Sequence, residues 1–340
     1  MASPCSKRIL VFGATGVVGK VLVNSLLNAG DQFERIGIFT SADTAASKAE
    51  TLNGFEARGA KIIIGDLYKD ADVLGAYKGN GHQHCAKDGT FTDTAPGFDT
   101  VVSAVGRFAI DKQIDLIKLA DESPNIIRFI PSEYGTDIAY NERSATERPH
   151  QKKLKVRTAL ESSDFQHLTY TYIVTGPISD LYMGNMSAEP QMGSFDVVRR
   201  EATLLGDGND RISLTSMADV GRLLVAVLKN PAFCDRKAIR VNSFTTTPHA
   251  ILAELERQTE SRWKVAYTSC DDLRRLEDTA WAANNPLASI YTLRRIWTEG
   301  STLYAETDNK AIGMGKMDTL EMIVQETVKS PVAAFQSGKL

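Results

Sequence analysis

Short, mainly apolar runs separated by amphipathic stretches set the pattern of the first half of the chain. Residues 9–12 are apolar and lead at once into Gly13-Ala14-Thr15-Gly16-Val17-Val18-Gly19, then into a helical stretch over 20–29 closed by Gly30. An apolar run, a glycine-rich bend and a 3.6-residue period predict strand, turn and helix in that order. Further runs of strand length follow at 35–39, 61–64, 100–105 and 126–130, with helix-period segments such as 45–58 and 112–120 between them. Such alternation predicts βαβ units and a parallel sheet buried on both faces.

The rhythm breaks at 79–97, where turn formers crowd a segment without periodicity, so a surface loop is expected before the fourth strand. His82, His84 and Cys85 lie in it, but no second ligand pair follows at a metal-binding spacing, and no metal is assigned. Beyond Pro149 the pattern loosens. Helices are expected at 151–162, 218–229, 249–259, 271–283 and 319–329, strands at 168–174 and 238–242, and a turn at Gly206-Asp207-Gly208-Asn209. These elements predict a division into residues 1–150, a sheet domain, and 151–340, mainly a smaller interleaved α/β substrate lobe with segments that return to the first sheet. The cleft between the two is the expected ligand site.

Composition narrows the partner more than the fold. Of the 340 residues, 43% are hydrophobic and 24% charged, an ordinary globular balance. A formal net charge of -3 leaves no basic excess to hold a polyanion, which excludes nucleic acid as the main partner and favours a small molecule. Four cysteines without a CxxC pair fit a reducing compartment, and no apolar stretch has the length of a membrane span, so a cytoplasmic protein is expected. A homodimer is compatible with all of this.

The bend itself carries the chemistry. Its spacing is Gly13-x-x-Gly16-x-x-Gly19 between a strand and a helix, which lets the backbone approach a pyrophosphate while free N–H groups and the helix dipole attract the anion. A Rossmann-type, doubly wound parallel sheet is therefore expected, holding a dinucleotide on Gly13, Thr15, Gly16, Val17, Val18 and Gly19. An acidic residue ending the second strand would select NAD. Here Thr40 and Ser41 stand in its place and Lys48 follows on the next helix, so NADPH is favoured over NADH, although Lys48 also suits a solvated helix face and Asp43 is close by. Asp66, next to Leu67, suits either the adenine amino group or a cap for the following helix. Ala104, Val105 and Gly106, at the end of the fourth apolar run, are expected along the cofactor.

Three motifs together, GATGVVG at 13–19, Arg128-Phe129-Ile130-Pro131-Ser132-Glu133-Tyr134-Gly135 and Lys153-Leu154-Lys155-Val156-Arg157, resemble the isoflavone reductase-like and NmrA-like group of atypical short-chain dehydrogenases/reductases. The Gly206-Asp207-Gly208 turn, Asp219-Val220-Gly221-Arg222 and Thr245-Thr246-Thr247-Pro248 are similar to fungal members. The resemblance implies NADPH-dependent reduction of aromatic secondary metabolites, with a helix lysine as the polar catalyst. That lysine falls on Lys153, after a segment one residue shorter than the family's. The family's arginine at the end of strand two is Thr40 here, while its lysine partner matches Lys48. Its Asn-Cys-Phe segment over the nicotinamide reads Gly176-Pro177-Ile178, so a different fit near the hydride is expected.

None of the ten tyrosines has a lysine four positions later, so the ordinary tyrosine mechanism is absent. Hydride delivered to a carbonyl, enone, imine or quinone methide leaves charge on the acceptor, and a cation placed there lowers the barrier. Lys153 suits this role and Lys152 competes with it; Ser132 suits either substrate polarisation or a plain turn. Glu133, Tyr134 and Tyr182 are expected on the substrate side, with core packing an equal explanation for the tyrosines. Two other functions share the fold: a cyclase that binds NADPH without net redox chemistry, and an NmrA-like redox-sensing regulator.

Overall fold

The computed structural model describes residues 5–80, 96–162 and 167–331. The first six strands are β1 (Arg8–Phe12), β2 (Arg35–Thr40), β3 (Lys61–Ile64), β4 (Thr100–Ser103), β5 (Arg128–Ile130) and β6 (Thr169–Val174). There follow β7 (Ser194–Asp196), β8 (Glu201–Leu205), β9 (Ile212–Leu214), β10 (Lys237–Arg240), β11 (Phe244–Thr246) and β12 (Lys264–Thr268). Seven of them form one sheet in the order β10-β6-β5-β4-β1-β2-β3, parallel throughout. This is the doubly wound Rossmann-type sheet expected from the alternation.

Its strands are apolar on both sides because both faces are covered. Along β1, Ile9 and Val11 point to one core cluster while Leu10 and Phe12 point to the other. The first cluster is closed by helices Val17–Asn28 and Met217–Lys229, through Leu22, Leu26, Leu224 and Val227. Helices Asp70–Tyr77, Gln113–Asp121 and Gln151–Leu160 close the second through Val73, Leu116 and Val156.

Two small sheets stand outside this layer. In one, β7 pairs antiparallel with β8 and β12 runs parallel to β8; in the other, β9 pairs antiparallel with β11. Helices Pro248–Thr259 and Leu320–Lys329 pack beside the first of them around Leu204, Ile251, Leu255 and Val324. Helices Cys270–Ala282 and Ala288–Thr298 add a further cluster around Leu273 and Tyr291. Arg295 ties this region to the first: Nη2 lies 2.7 Å from Glu147, Nε 2.5 Å from Glu277 and Nη1 3.2 Å from Glu299.

The structure corrects two details of the sequence pattern. The helix expected over 45–58 is broken into Ala42–Ser47 and Ala49–Glu56, because Lys48 leaves helical geometry at φ -122°, ψ 26°. The fourth strand ends at Ser103, so Ala104 and Val105 belong to the loop beyond it. His82, His84 and Cys85 lie outside the described residues. Among those described, no helix is long and apolar enough to cross a membrane, and no group of three or more His, Cys, Asp and Glu is placed to hold a metal.

Leu22 is fully buried between the sheet and its covering helices. Leu22→Ala should cost about 2–5 kcal/mol, read as a lower urea midpoint at unchanged denaturant slope.

Candidate functional site

The carboxyl ends of β1, β4, β5 and β6 meet along one edge of the sheet, and main-chain carbonyls link their loops. Gly13 leaves β1 at φ 77°, and a Cβ there would lie 2.3 Å from the Ala104 carbonyl oxygen; one on Gly19 would lie 2.1 Å from the Gly13 oxygen. Only glycine permits either approach. Gly16 caps the helix Val17–Asn28 with no side chain bonded to its first turn and no acidic residue in it. Val17, Val18 and Gly19 thus form that first turn, with Thr15 one residue ahead of the cap. The end of this helix attracts an anion.

From Ala104 and Val105 the edge continues to β5. The Ser132 hydroxyl donates to the Val105 carbonyl at 2.9 Å, and the Ser132 amide donates to Gln113 Oε1 at 2.8 Å. The Ser132 proton is therefore engaged in joining the β4 and β5 loops, and Gly106 lies exposed beside them. On the next strand the amides of Thr175 and Gly176 both donate to the Gly135 carbonyl, and the Thr215 amide donates to the Pro177 carbonyl at 3.0 Å. Gly176, Pro177 and Ile178 are buried just beyond the end of β6.

Lys153 and Lys152 point in different directions. Lys153 Nζ donates to the Glu133 carbonyl at 2.5 Å, at the end of β5, whereas Lys152 Nζ pairs on the surface with Asp111 at 2.8 Å. Burial pushes the Lys153 ammonium below the usual lysine range; the Glu133 carboxylate pulls it back, and the like charge of Arg157 adds to the depression.

Glu133 does not stand as a substrate wall. Its carboxylate is gripped by Arg157, Nε to Oε1 at 2.7 Å and Nη2 to Oε2 at 2.6 Å, so it faces the lysine through its backbone carbonyl. Arg157 also lies 3.1 Å from Asp137, which in turn holds Arg240 at 2.9 Å. Burial works against the Arg157 charge, but Glu133 and Asp137 together outweigh it and hold the guanidinium above its ordinary range.

The two tyrosines are core residues. Tyr134, at φ 28°, joins the cluster under the first helix, its hydroxyl without a partner among the described residues and held by burial above the usual phenol range. Tyr182 is packed in the outer lobe, with the Arg294 guanidinium 4.4 Å from its ring centre and Trp297 beside it.

At the other end of the edge, Thr40 is buried and Ser41 caps the helix Ala42–Ser47 through Thr44. Lys48 is exposed, and among the described residues nothing pairs with its ammonium. Asp66 does not cap the next helix, whose N-cap is Lys69; its carboxylate accepts from the Tyr68 amide at 2.9 Å and shapes the turn that contains Leu67.

His150 was not anticipated from sequence. It is buried one turn before Lys153, Nδ1 lies 2.6 Å from the Ser144 carbonyl, and Nε2 has no partner among the described residues. The short contact fixes the proton on Nδ1.

A parallel sheet with this glycine bend defines a Rossmann-type α/β protein. The NmrA-like family model matches residues 5–304, and the chain belongs to the NmrA-like family. It is 25% identical over 289 residues to phenylcoumaran benzylic ether reductase PT1 of Pinus taeda, covering 84% of this chain and 86% of that one. With isoflavone reductase of Pisum sativum it shares 26% over 309 residues, 87% and 89% of the two chains. The solved leucoanthocyanidin reductase–NADPH complex from Vitis vinifera has the same fold, with a TM-score of 0.75 at 21% identity over 95% of this chain and 100% of that one.

Burial lowers the His150 pKa from its ordinary 6.5. The unfolded chain therefore takes up this proton before the folded one does, and stability drops as pH falls below about 6.5 towards the lower folded value. His150→Phe should flatten the pH dependence of the urea midpoint in that window; an unchanged slope would assign it to other groups.

Proposed function

We propose that the chain is an NADP-dependent oxidoreductase that reduces a small aromatic secondary metabolite, with NADPH as the reduced cofactor. The observation that carries this reading is the half-buried Lys153 ammonium, held at the same sheet edge as the glycine bend. The names of the reductase relatives and the NADPH of the Vitis vinifera complex support it.

The residues present fit a dinucleotide. The contacts at Gly13 and Gly19 hold the bend tightly against the sheet edge and set the helix start beside it, and the first turn of the helix keeps its N–H groups free of side-chain caps. Thr15, Gly16, Val17, Val18 and the two glycines would hold the phosphates. Thr40, Ser41 and the unpaired Lys48 would meet a 2′-phosphate, with Asp66 and Leu67 towards the adenine. Ala104, Val105, Gly106 and the Gly176-Pro177-Ile178 segment would flank the nicotinamide. When bound, NADPH supplies a hydride.

The chain's own contribution is acid chemistry. Lys153 holds a proton on Nζ, anchored by one hydrogen bond to the Glu133 carbonyl with its other N–H groups left for an oxygen of the substrate. Its lowered proton affinity makes it a better acid than a surface lysine. Ser132 supports the loop on which this rests. A regulator that only binds dinucleotide has no need of a depressed ammonium at this position.

Calorimetry with NADPH and NADH tests the premise: NADPH should bind more tightly, and no affinity for either would end the proposal. Lys48→Glu should narrow the preference by about 10–100-fold, the worth of one charge-assisted contact. Lys153→Ala should leave NADPH affinity intact and slow NADPH oxidation with a responsive aromatic substrate by about 10²–10⁴-fold; full activity would remove the lysine from the mechanism.

A further inference from the structure

One helix grips Glu133 at both ends. Lys153 donates to its backbone carbonyl at 2.5 Å, and Arg157, one turn further along, binds both carboxylate oxygens at 2.7 and 2.6 Å. Residues four apart share a helix face, so the ammonium and the guanidinium are carried by one rigid turn and fastened to one residue of the β5 end. Two of these groups are sequestered, Arg157 at 7% exposed and Glu133 at 4%, and Lys153 is half-buried beside them. The guanidinium has further fixed neighbours, Asp137 at 3.1 Å and the Tyr172 ring 4.2 Å from Cζ.

We propose that Arg157 and the Glu133 carboxylate are positioning residues for Lys153, an opposed pair of charges that sets how readily its ammonium gives up a proton. The inference rests on the reading of Lys153 as the proton-bearing group, and deepens it.

The balance is a matter of sign. Arg157 is a like charge near Lys153 and disfavours its protonation; the Glu133 carboxylate favours it. Because the two are locked together, each also screens the other's effect on the lysine. Removing Arg157 both deletes the repulsion and leaves the carboxylate unneutralised, so the lysine should bind its proton more tightly. Neutralising Glu133 deletes the attraction and leaves Arg157 less compensated, so the lysine should bind it less tightly. Besides the Tyr172 phenol, which is bonded to Glu161 at 2.8 Å and which burial holds above the usual phenol range, the titratable groups facing this cluster are His150, in the turn before the helix, and Asp137, after β5. His150 remains neutral at ordinary pH, and Asp137 is shared with Arg240 at 2.9 Å. Neither provides the opposed signs.

The test reads the lysine directly. In protein labelled at lysine 13Cε, the Lys153 resonance is assigned by its loss in Lys153→Ala and titrated with pH. The wild-type midpoint should lie below those of surface lysines. Arg157→Gln should raise it and Glu133→Gln should lower it, each by about one pH unit, while Arg157→Lys stays near the wild type. Loss of packing alone would move both midpoints upward, towards solvent values, so shifts of the same sign, or no shift in either variant, would overturn the proposal. If Arg157→Gln does not fold, Glu133→Gln decides: a lowered midpoint supports the proposal and an unchanged or raised one overturns it. The titration needs no substrate. An inactive protein with the expected opposed shifts would therefore fault the reductase reading while leaving this inference standing.

Discussion

The site depends on a backbone contact that admits no side chain. Gly19 comes back over the Gly13 carbonyl, and Gly13 in turn lies against the Ala104 carbonyl, so the first helix starts as close to the sheet edge as covalent geometry allows. From there each loop is placed by the one before it: Val105 receives the Ser132 hydroxyl, Glu133 receives Lys153, and Gly135 receives the amides of Thr175 and Gly176. The polar side chains of the edge are thus positioned mostly by main-chain carbonyls, which are fixed by the strands and do not depend on rotamers.

Much of the fold is legible in the sequence because the central strands are buried on both faces, and such burial favours mainly apolar runs. Residues 35–39, 61–64 and 126–130 therefore announce β2, β3 and β5 within two or three residues. The strands β7, β8, β9, β11 and β12 carry no such mark. They are three to five residues long, and β12 is exposed along most of its length, so neither alternation nor a full apolar run develops. The helix Ala288–Thr298 also went unread: Arg294 is buried on it against the carbonyls of Leu181 and Tyr182, where a polar face would be expected.

The candidate site shows the same division. The glycine bend is legible because its spacing reflects a contact within one short segment. The choice between Lys152 and Lys153 is not, since it is made by Asp111 and by the carbonyl of Glu133, which lie far away in sequence. For Glu133 the sequence suggested a place at the sheet edge, and that is where it sits; the turn of its carboxylate towards Arg157 is a tertiary fact. Arg157 stands four residues after Lys153, a spacing that signals a shared helix face, but only the buried partner gives that spacing meaning. His150 had no signal, because a lone histidine in a turn looks like surface.

Arg295 links Glu147, which immediately precedes the Arg148–His150 turn and the lysine helix, to Glu277 and Glu299 on the outer helices. Three largely buried carboxylates from different parts of the fold thereby share one guanidinium, and separating them would strand a charge away from water at a cost of several kcal/mol. The segment leading into the lysine helix is thus fastened to the outer helices, and opening either one alone would break the same buried ion pairs.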